Sequence, residues 1–105
     1  MEQLKIRRGD YGYYIEFTQL DSTGVNPYNL GLSIPYLNVW TQGSPTQILL
    51  HAPGETVNPQ AGTWRYLVKK EDFLMPGIYH AELEYILSDS CESSETFLLV
   101  VEESP

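Results

Sequence analysis

The chain has 105 residues, 42% of them hydrophobic, and a formal net charge of −8. This length suits one modest hydrophobic core, so we expect residues 1–105 to fold as a single domain. Affinity for phosphate groups comes from clustered lysine and arginine, and only six such residues stand against 14 acidic ones, which argues against nucleic-acid binding.

The lone cysteine and the first residues indicate where the chain is made. Cys91 has no second cysteine to pair with, which is typical of a protein made in a reducing cytoplasm. Residues 1–5 lack the basic and apolar regions of a signal peptide, and no stretch approaches the roughly 20 apolar residues of a membrane span. We therefore expect synthesis in the cytoplasm, without a signal peptide and without a membrane partner.

The first candidate strand carries half of the basic residues of the chain. Leu4 and Ile6 alternate with Lys5 and Arg7, which is the pattern of a half-buried strand, and Arg8 follows directly. This basic cluster has two interpretations. It is either a contact between copies of the chain or a solvated strand end.

Six further segments have strand patterns, and turn-forming residues separate them. A helical turn is expected only at 69–75, because acidic residues precede apolar ones just before Pro76. Residues 26–35 are predicted to be a connection, since Pro35 has no N–H to donate to a sheet. The further strands are predicted at 12–20, 36–41, 47–52, 63–68, 79–85 and 96–102.

Two strands carry candidates for an interface. In one of them we expect Leu37 and Val39 to face the core, which leaves Trp40 partly covered. The last strand is apolar on both faces, because Phe97, Leu99 and Val101 face one way while Leu98 and Val100 face the other. Such a strand is either covered by another layer or lies in an interface.

The most informative segment runs from Pro76 to Tyr85. Gly77 marks a turn, and Tyr79 begins an alternating strand. A tyrosine just after a glycine at the start of a late strand is similar to the corner tyrosine of immunoglobulin-like sandwiches, whose hydroxyl bonds to the preceding connection. With seven candidate strands and almost no helix, the sequence predicts an all-β fold, an antiparallel immunoglobulin-like β-sandwich.

No residue pattern predicts catalysis or a cofactor. His51 and His80 lack the nearby cysteines or paired carboxylates of a zinc site, and the serines lie in loops without the context of a nucleophile. Glu82 and Glu84 share a strand face about 7 Å apart, as paired catalytic carboxylates do, but an exposed polar face explains them better. We therefore predict a protein that is not an enzyme and binds no metal or cofactor.

The aromatic residues allow two interpretations. Exposed tryptophan and tyrosine side chains can form a platform on which sugars stack, which would make the domain a carbohydrate-binding module. The same residue types are used in sandwich cores and protein interfaces, because they bury a large apolar area and keep a polar group. We favour this second use. The residues concerned are Trp40, Trp64, Tyr14, Tyr28 and Tyr36.

The order of these motifs resembles the immunoglobulin-like N-terminal domain of tailed-phage baseplate upper proteins and related virion proteins. The resemblance implies structural attachment within a virion, in a baseplate, tail or capsid, and no catalytic residues. The similar elements are Gly9-Asp10 before the strand with Phe17, the turn 21–25, Asn29-Leu30, the segment 62–66, and Asp72 with the segment 76–84.

The expected function is therefore that of a non-enzymatic structural protein of a phage-like virion, acting through contacts with other virion proteins and with further copies of the chain. A carbohydrate-binding module that recognises glycans is the alternative. We expect Gly77 and Tyr79 to define the fold, and the interface candidates are Lys5, Arg7, Arg8, Trp40, Leu98 and Val100.

Overall fold

The computed structural model describes residues 3–21, 23–42 and 47–103. These residues form nine strands, and none of them belongs to a helix long and apolar enough to cross a membrane. Each of the seven segments predicted as strands overlaps one of these strands. The strands are β1 (Gln3–Arg7), β2 (Tyr14–Thr18), β3 (Ile34–Thr41), β4 (Ile48–Pro53), β5 (Glu55–Asn58), β6 (Thr63–Leu67), β7 (Gly77–Ile86), β8 (Cys91–Ser93) and β9 (Phe97–Glu102).

The strands form two sheets that enclose one core as a β-sandwich, which confirms the predicted fold class. The larger sheet has the order β1-β9-β7-β3-β4, with β8 paired to β7, and the smaller sheet has the order β2-β6-β5. Neighbouring strands are antiparallel with one exception, β1, which runs parallel to β9 and places Leu4 beside Leu99. The sheet is therefore mixed at this edge.

Alternating side chains build the core between the sheets. Along β7 the buried residues are Tyr79, Ala81, Leu83 and Tyr85, as the sequence predicts. The smaller sheet contributes Trp64, whose side chain is fully enclosed. The other large side chains with almost no exposed surface are Tyr66, Phe73, Leu30, Leu37, Leu99, Val39 and Val68.

The segment 69–75 contains a hydrogen-bonded turn and no helix, so the expectation of a helical turn there is wrong. The N–H of Asp72 donates to the carbonyl of Lys69 (3.1 Å), and the Asp72 carboxylate accepts the N–H of Lys69 (2.9 Å) and the hydroxyl of Tyr66. Aspartate side chains that bond to nearby backbone in this way compete with helix formation. The turn also directs Phe73 into the core.

Three features of the strands differ most from the prediction. β5 and β8 lie between the segments predicted as strands, and β3 begins at Ile34, inside the predicted connection. Pro35 is accommodated near the start of the strand, where its carbonyl accepts the N–H of Gly54 (2.8 Å). Strand formation at these places depends on pairing with neighbouring strands rather than on local alternation.

The predicted tyrosine corner is present. The hydroxyl of Tyr79 donates to the carbonyl of Met75 (2.7 Å), which ties the start of β7 to the connection before it. Gly77 lies between them with φ of +153°, a backbone conformation that side chains disfavour. Both residues predicted to define the fold therefore lie at this corner.

We expect Tyr79→Phe to lower the free energy of unfolding by about 1–2 kcal/mol, because the Met75 carbonyl loses its partner while the ring stays in place. Urea denaturation of the two proteins measures the difference. Tyr11→Phe, at an exposed tyrosine, is the matched control and is expected to unfold like the original protein. Equal losses in the two variants would contradict a stabilising corner.

Candidate functional site

The site with the greatest concentration of candidate residues is the outer face of the larger sheet, the face directed away from the smaller sheet. Along β7 the residues between the buried ones lie on this face, and strand pairing places residues of the neighbouring strands beside them. The sequence-predicted residues Trp40, Leu98 and Val100 all belong to it. The outer face comprises Lys5, Arg7, Tyr36, Asn38, Trp40, Ile48, His51, Ile78, His80, Glu82, Glu84, Cys91, Leu98 and Val100.

An apolar band crosses the middle of this face. His80 pairs with Leu98 on one side and with Trp40 on the other, and the Trp40 and His80 rings stack with centroids 5.9 Å apart. Val100 pairs with Ile78, which is 51% exposed, and Ile48 beside Trp40 is 76% exposed. The band is defined by Ile48, Trp40, His80, Leu98, Ile78 and Val100.

The predicted basic residues lie at one edge of the same sheet. Lys5 pairs with Val100 and Arg7 with Glu102, so both continue the outer face beyond the apolar band. Arg8 follows β1 and forms an ion pair with Glu103 (2.6 Å). Both partners of that pair are exposed, and exposed ion pairs contribute little to stability. We call Lys5 and Arg7 the basic edge.

A polar cluster lies next to the apolar band, towards β8. The Asn38 side-chain amide donates to Glu84 Oε1 (3.1 Å), and its oxygen accepts a hydrogen bond from His51 Nδ1 (2.5 Å). The Cys91 thiol donates to Glu84 Oε2 (3.0 Å), and the Tyr36 ring stacks on His51 at 4.7 Å. Both oxygens of Glu84 are thus engaged within the cluster.

These bonds determine the chemistry of the cluster. The hydrogen bonds from Cys91 and Asn38 lower the pKa of Glu84, whereas a general acid requires a raised pKa. The same bond, with burial and the charge of Glu84, raises the pKa of the Cys91 thiol and so disfavours the reactive thiolate. The arrangement is that of a stabilised polar surface.

The residues considered in the sequence for metal binding or catalysis, His51, His80, Glu82 and Glu84, all lie on the outer face. Within residues 3–21, 23–42 and 47–103, no group of three or more His, Cys, Asp or Glu residues is arranged to bind a metal ion. His80 has a buried Nδ1 without a hydrogen-bond partner in the described part of the chain and lies within the apolar band. His51 is bonded to Asn38.

The five aromatic residues considered for sugar stacking do not form one platform. Trp64 is 0% exposed and belongs to the core. Tyr14 lies on the smaller sheet under the guanidinium of Arg65 (3.9 Å), and Tyr28 contacts Tyr85 between the sheets. Only Trp40 and Tyr36 share a surface. Beside them a shallow depression of about 440 Å³ is lined by Asn38, Val39, Trp40, Ile48, His51, Glu82 and Glu84.

Three contributors to this face were missed in the sequence: Ile48, Ile78 and Cys91. The alternation places Ile48 in a predicted strand but gives it no direction, and Cys91 lies between two predicted strands. The strand alternation around Ile78 places it on the same face as His80, which is a signal that was present in the sequence. No comparable signal exists for Ile48, because an irregularity in the pairing of β3 and β4 shifts the register there.

No protein-family model matches the chain, and no curated protein matches it either. Among solved structures, the N-terminal domain of phage TP901-1 ORF48 has a similar fold, with a TM-score of 0.67 and 17% sequence identity. The match covers 96% of this chain and 85% of that one. At this level of identity, the similarity shows a shared fold.

We expect the stabilising effect of Glu84 to depend on pH. Because folding lowers its pKa, its contribution is present above the unfolded pKa and is lost as the pH falls through the folded pKa. Glu84→Gln removes the charge, so the difference in unfolding free energy between the two proteins is expected to shrink below about pH 4. Chemical denaturation at several pH values measures it.

The control for this prediction is Glu71→Gln, at an exposed residue of the turn before β7. Its difference from the original protein is expected to be small and nearly constant over the same pH range. A constant difference for Glu84→Gln as well would contradict the proposed role of the cluster.

Proposed function

We propose that this domain is a non-enzymatic structural component of a phage-like virion and that it binds other proteins through the outer face of its larger sheet. The observation that carries the proposal is the apolar band across the larger sheet, in which Ile48 and Ile78 are exposed and the other members are half-buried. Contiguous apolar surface of this kind is characteristic of protein interfaces. The similarity in fold to a phage domain supports the choice of a virion as its setting.

The contrast with the smaller sheet supports the choice of face. There the Arg65 guanidinium covers the ring of Tyr14 and pairs with Glu55 (3.1 Å), so charged groups lie among the exposed apolar residues Val57 and Leu67. On the larger sheet Ile48 and Ile78 remain in water. Burial of such side chains against a partner is favourable in proportion to the apolar area removed from water.

The charges flanking the apolar band support a second copy of the chain as one of the partners. The basic edge lies on one side of the band, and the carboxylates of Glu82 and Glu84 lie on the other. A two-fold axis through the band places each basic edge opposite the carboxylates of the other copy, as an isologous interface requires. Complementary charges of this kind set the orientation of the contact more than its strength.

We expect Leu98→Asp combined with Val100→Asp to lower the mass of the oligomer in solution towards the 12.0 kDa of one chain. The two carboxylates would have to be buried without partners in the interface, which is strongly unfavourable. Sedimentation at several protein concentrations measures the mass, and circular dichroism verifies that the fold is retained.

The matched control is Val57→Asp combined with Leu67→Asp, which adds the same charge at exposed apolar positions of the smaller sheet. It is expected to leave the mass unchanged. If both double variants have the mass of the original protein, or if the original protein is a monomer at high concentration, the outer face does not join copies of the chain.

The genes that flank the coding sequence test the virion setting independently. A run of genes for tail, baseplate or capsid proteins is expected. Neighbouring genes of a metabolic pathway would contradict the virion role while leaving the interface intact, so the two parts of the proposal can fail separately.

A second candidate function, glycan binding, is favoured by the composition of the depression on the outer face. Trp40 offers an aromatic ring, and Glu82 and Asn38 offer polar groups beside it. Sugar sites combine an apolar surface with a few oriented polar groups in this way. If glycans bind there, a glycan array gives hits that Trp40→Ala abolishes. An array without hits, together with unchanged tryptophan fluorescence on titration, would remove this candidate.

A further inference from the structure

A side groove opens along one flank of the sandwich, away from the outer face. It has a volume of about 1090 Å³ and lies between β2 and the segment that joins β8 to β9. Buried Ile15 and Leu83 contribute to its lining, and the half-buried rings of Phe17 and Phe97 lie at its walls. The lining is therefore apolar in its interior and accessible from solvent.

The wall formed by β2 has backbone groups available for pairing. β2 is an edge strand of the smaller sheet, and β6 is its one partner among the described strands. Gln19 N–H donates to Gly62 O and Val68 N–H donates to Tyr13 O, each at 2.9 Å. Backbone groups alternate between the two sides of a strand, so those of Tyr14, Glu16 and Thr18 point away from β6.

The topology explains why this edge is open. In immunoglobulin sandwiches the corresponding sheet has four strands in the order ABED, and the first strand lies beside the second. Here β2, β6 and β5 correspond to B, E and D, while β1 pairs with β9 in the other sheet. Within the described ranges 3–21, 23–42 and 47–103, no strand takes the A position. The groove lies beside that position.

The charge of the groove indicates what fits there. Among the residues that the structure describes, four carboxylates belong to its lining, and no lysine, arginine or histidine does. An incoming strand alternates its side chains between the apolar interior and the acidic rim. It therefore needs apolar residues at every second position and basic residues between them. The acidic residues of the rim are Glu16, Asp21, Glu92 and Glu95.

We infer that β2 accepts an extended segment of a partner protein by β-strand addition, and that this segment alternates apolar residues with lysine or arginine. Main-chain hydrogen bonds supply affinity in such complexes, and alternate side chains supply specificity. The β1 segment of a second copy has a similar pattern, but its Ile6 is 3% exposed in its own core. Release of β1 from its own sheet would expose the Ile6 side chain to water. This cost favours a different protein as the source of the added segment.

This inference concerns a surface separate from the outer face and does not require self-association. The probe is a fluorescein-labelled peptide of about nine residues in which valine alternates with lysine, a length that covers β2 with margins. We expect it to bind, and we expect three peptides to bind at least about tenfold more weakly. These are the version with glutamate for lysine, the version with all valines before all lysines, and the version N-methylated at alternate residues.

Variants of β2 test the backbone contact from the side of the protein. Thr18→Pro removes an outward N–H without removing a bond to β6, and edge strands tolerate proline at such positions. It is expected to weaken binding about tenfold, as the loss of one well-placed hydrogen bond does. Thr18→Val keeps the N–H and is expected to bind like the original protein. If Thr18→Pro fails to fold, the N-methylated peptide still tests whether binding requires main-chain hydrogen bonds.

Charge variants test the rim. Glu16→Lys with Glu95→Lys is expected to weaken binding of the lysine peptide and to reduce its dependence on salt, whereas Glu71→Lys, outside the groove, changes neither. Leu98→Asp with Val100→Asp is expected to leave peptide binding unchanged, so a failure here is distinguishable from a failure of the outer-face interface.

Three results would overturn the inference. The first is equal binding of the lysine and N-methylated peptides, which indicates adsorption without strand pairing. The second is equal binding by the Thr18→Pro and Thr18→Val proteins when both are folded. The third is a dimer of the purified chain in which cross-linking places β1 of one copy in the groove of the other, which makes the chain itself the occupant.

Discussion

The two sheets are held in register by a hydrogen bond across the core, from Trp64 Nε1 on β6 to the hydroxyl of Tyr85 on β7 (3.1 Å). The same hydroxyl donates to Gln19 Oε1 (2.9 Å), so one buried oxygen joins β6, β7 and the end of β2. Burial raises the pKa of Tyr85 to about 12, and the group therefore stays a neutral donor at any physiological pH. A buried polar network of this kind fixes one relative position of the layers, because a shifted arrangement leaves these groups without partners.

The close packing around Trp64 fixes the position at which the chain passes from the larger sheet to the smaller sheet. Gly54 joins β4 to β5, and a Cβ atom at this position would lie 2.3 Å from the Trp64 ring. Only glycine allows the backbone this near to the indole. Because β4 is held to the core in this way, Ile48 and His51 of the same strand have defined positions on the outer face. Core packing on the other side of the sheet thus helps to position Ile48, the β4 member of the apolar band.

The sequence predicted the parts of this fold that alternation encodes. The inward residues of β7 and β3 follow from period two, and the tyrosine corner follows from Gly77 and Tyr79. β5 could not be found in this way, because all four of its residues are exposed and it exists through pairing with β6. The same holds for β8. The sequence also could not predict which residues are neighbours on the outer face. Trp40 contacts His80 only because the register of β3 and β7 pairs distant segments of the chain.

The position of β1 links the two proposed surfaces. By pairing with β9, β1 brings Lys5 beside Val100 and so supplies the basic edge of the outer face. A first strand placed beside β2 would instead cover the side groove and remove that edge. An exposed strand edge is a hazard for aggregation, which natural proteins limit with charged residues. Glu16 on β2 and the other rim carboxylates limit such aggregation. They favour basic strands, and a chain with net charge −8 has few basic strands to pair with the edge of another copy. Selectivity for a basic strand and protection from self-pairing therefore have the same electrostatic origin.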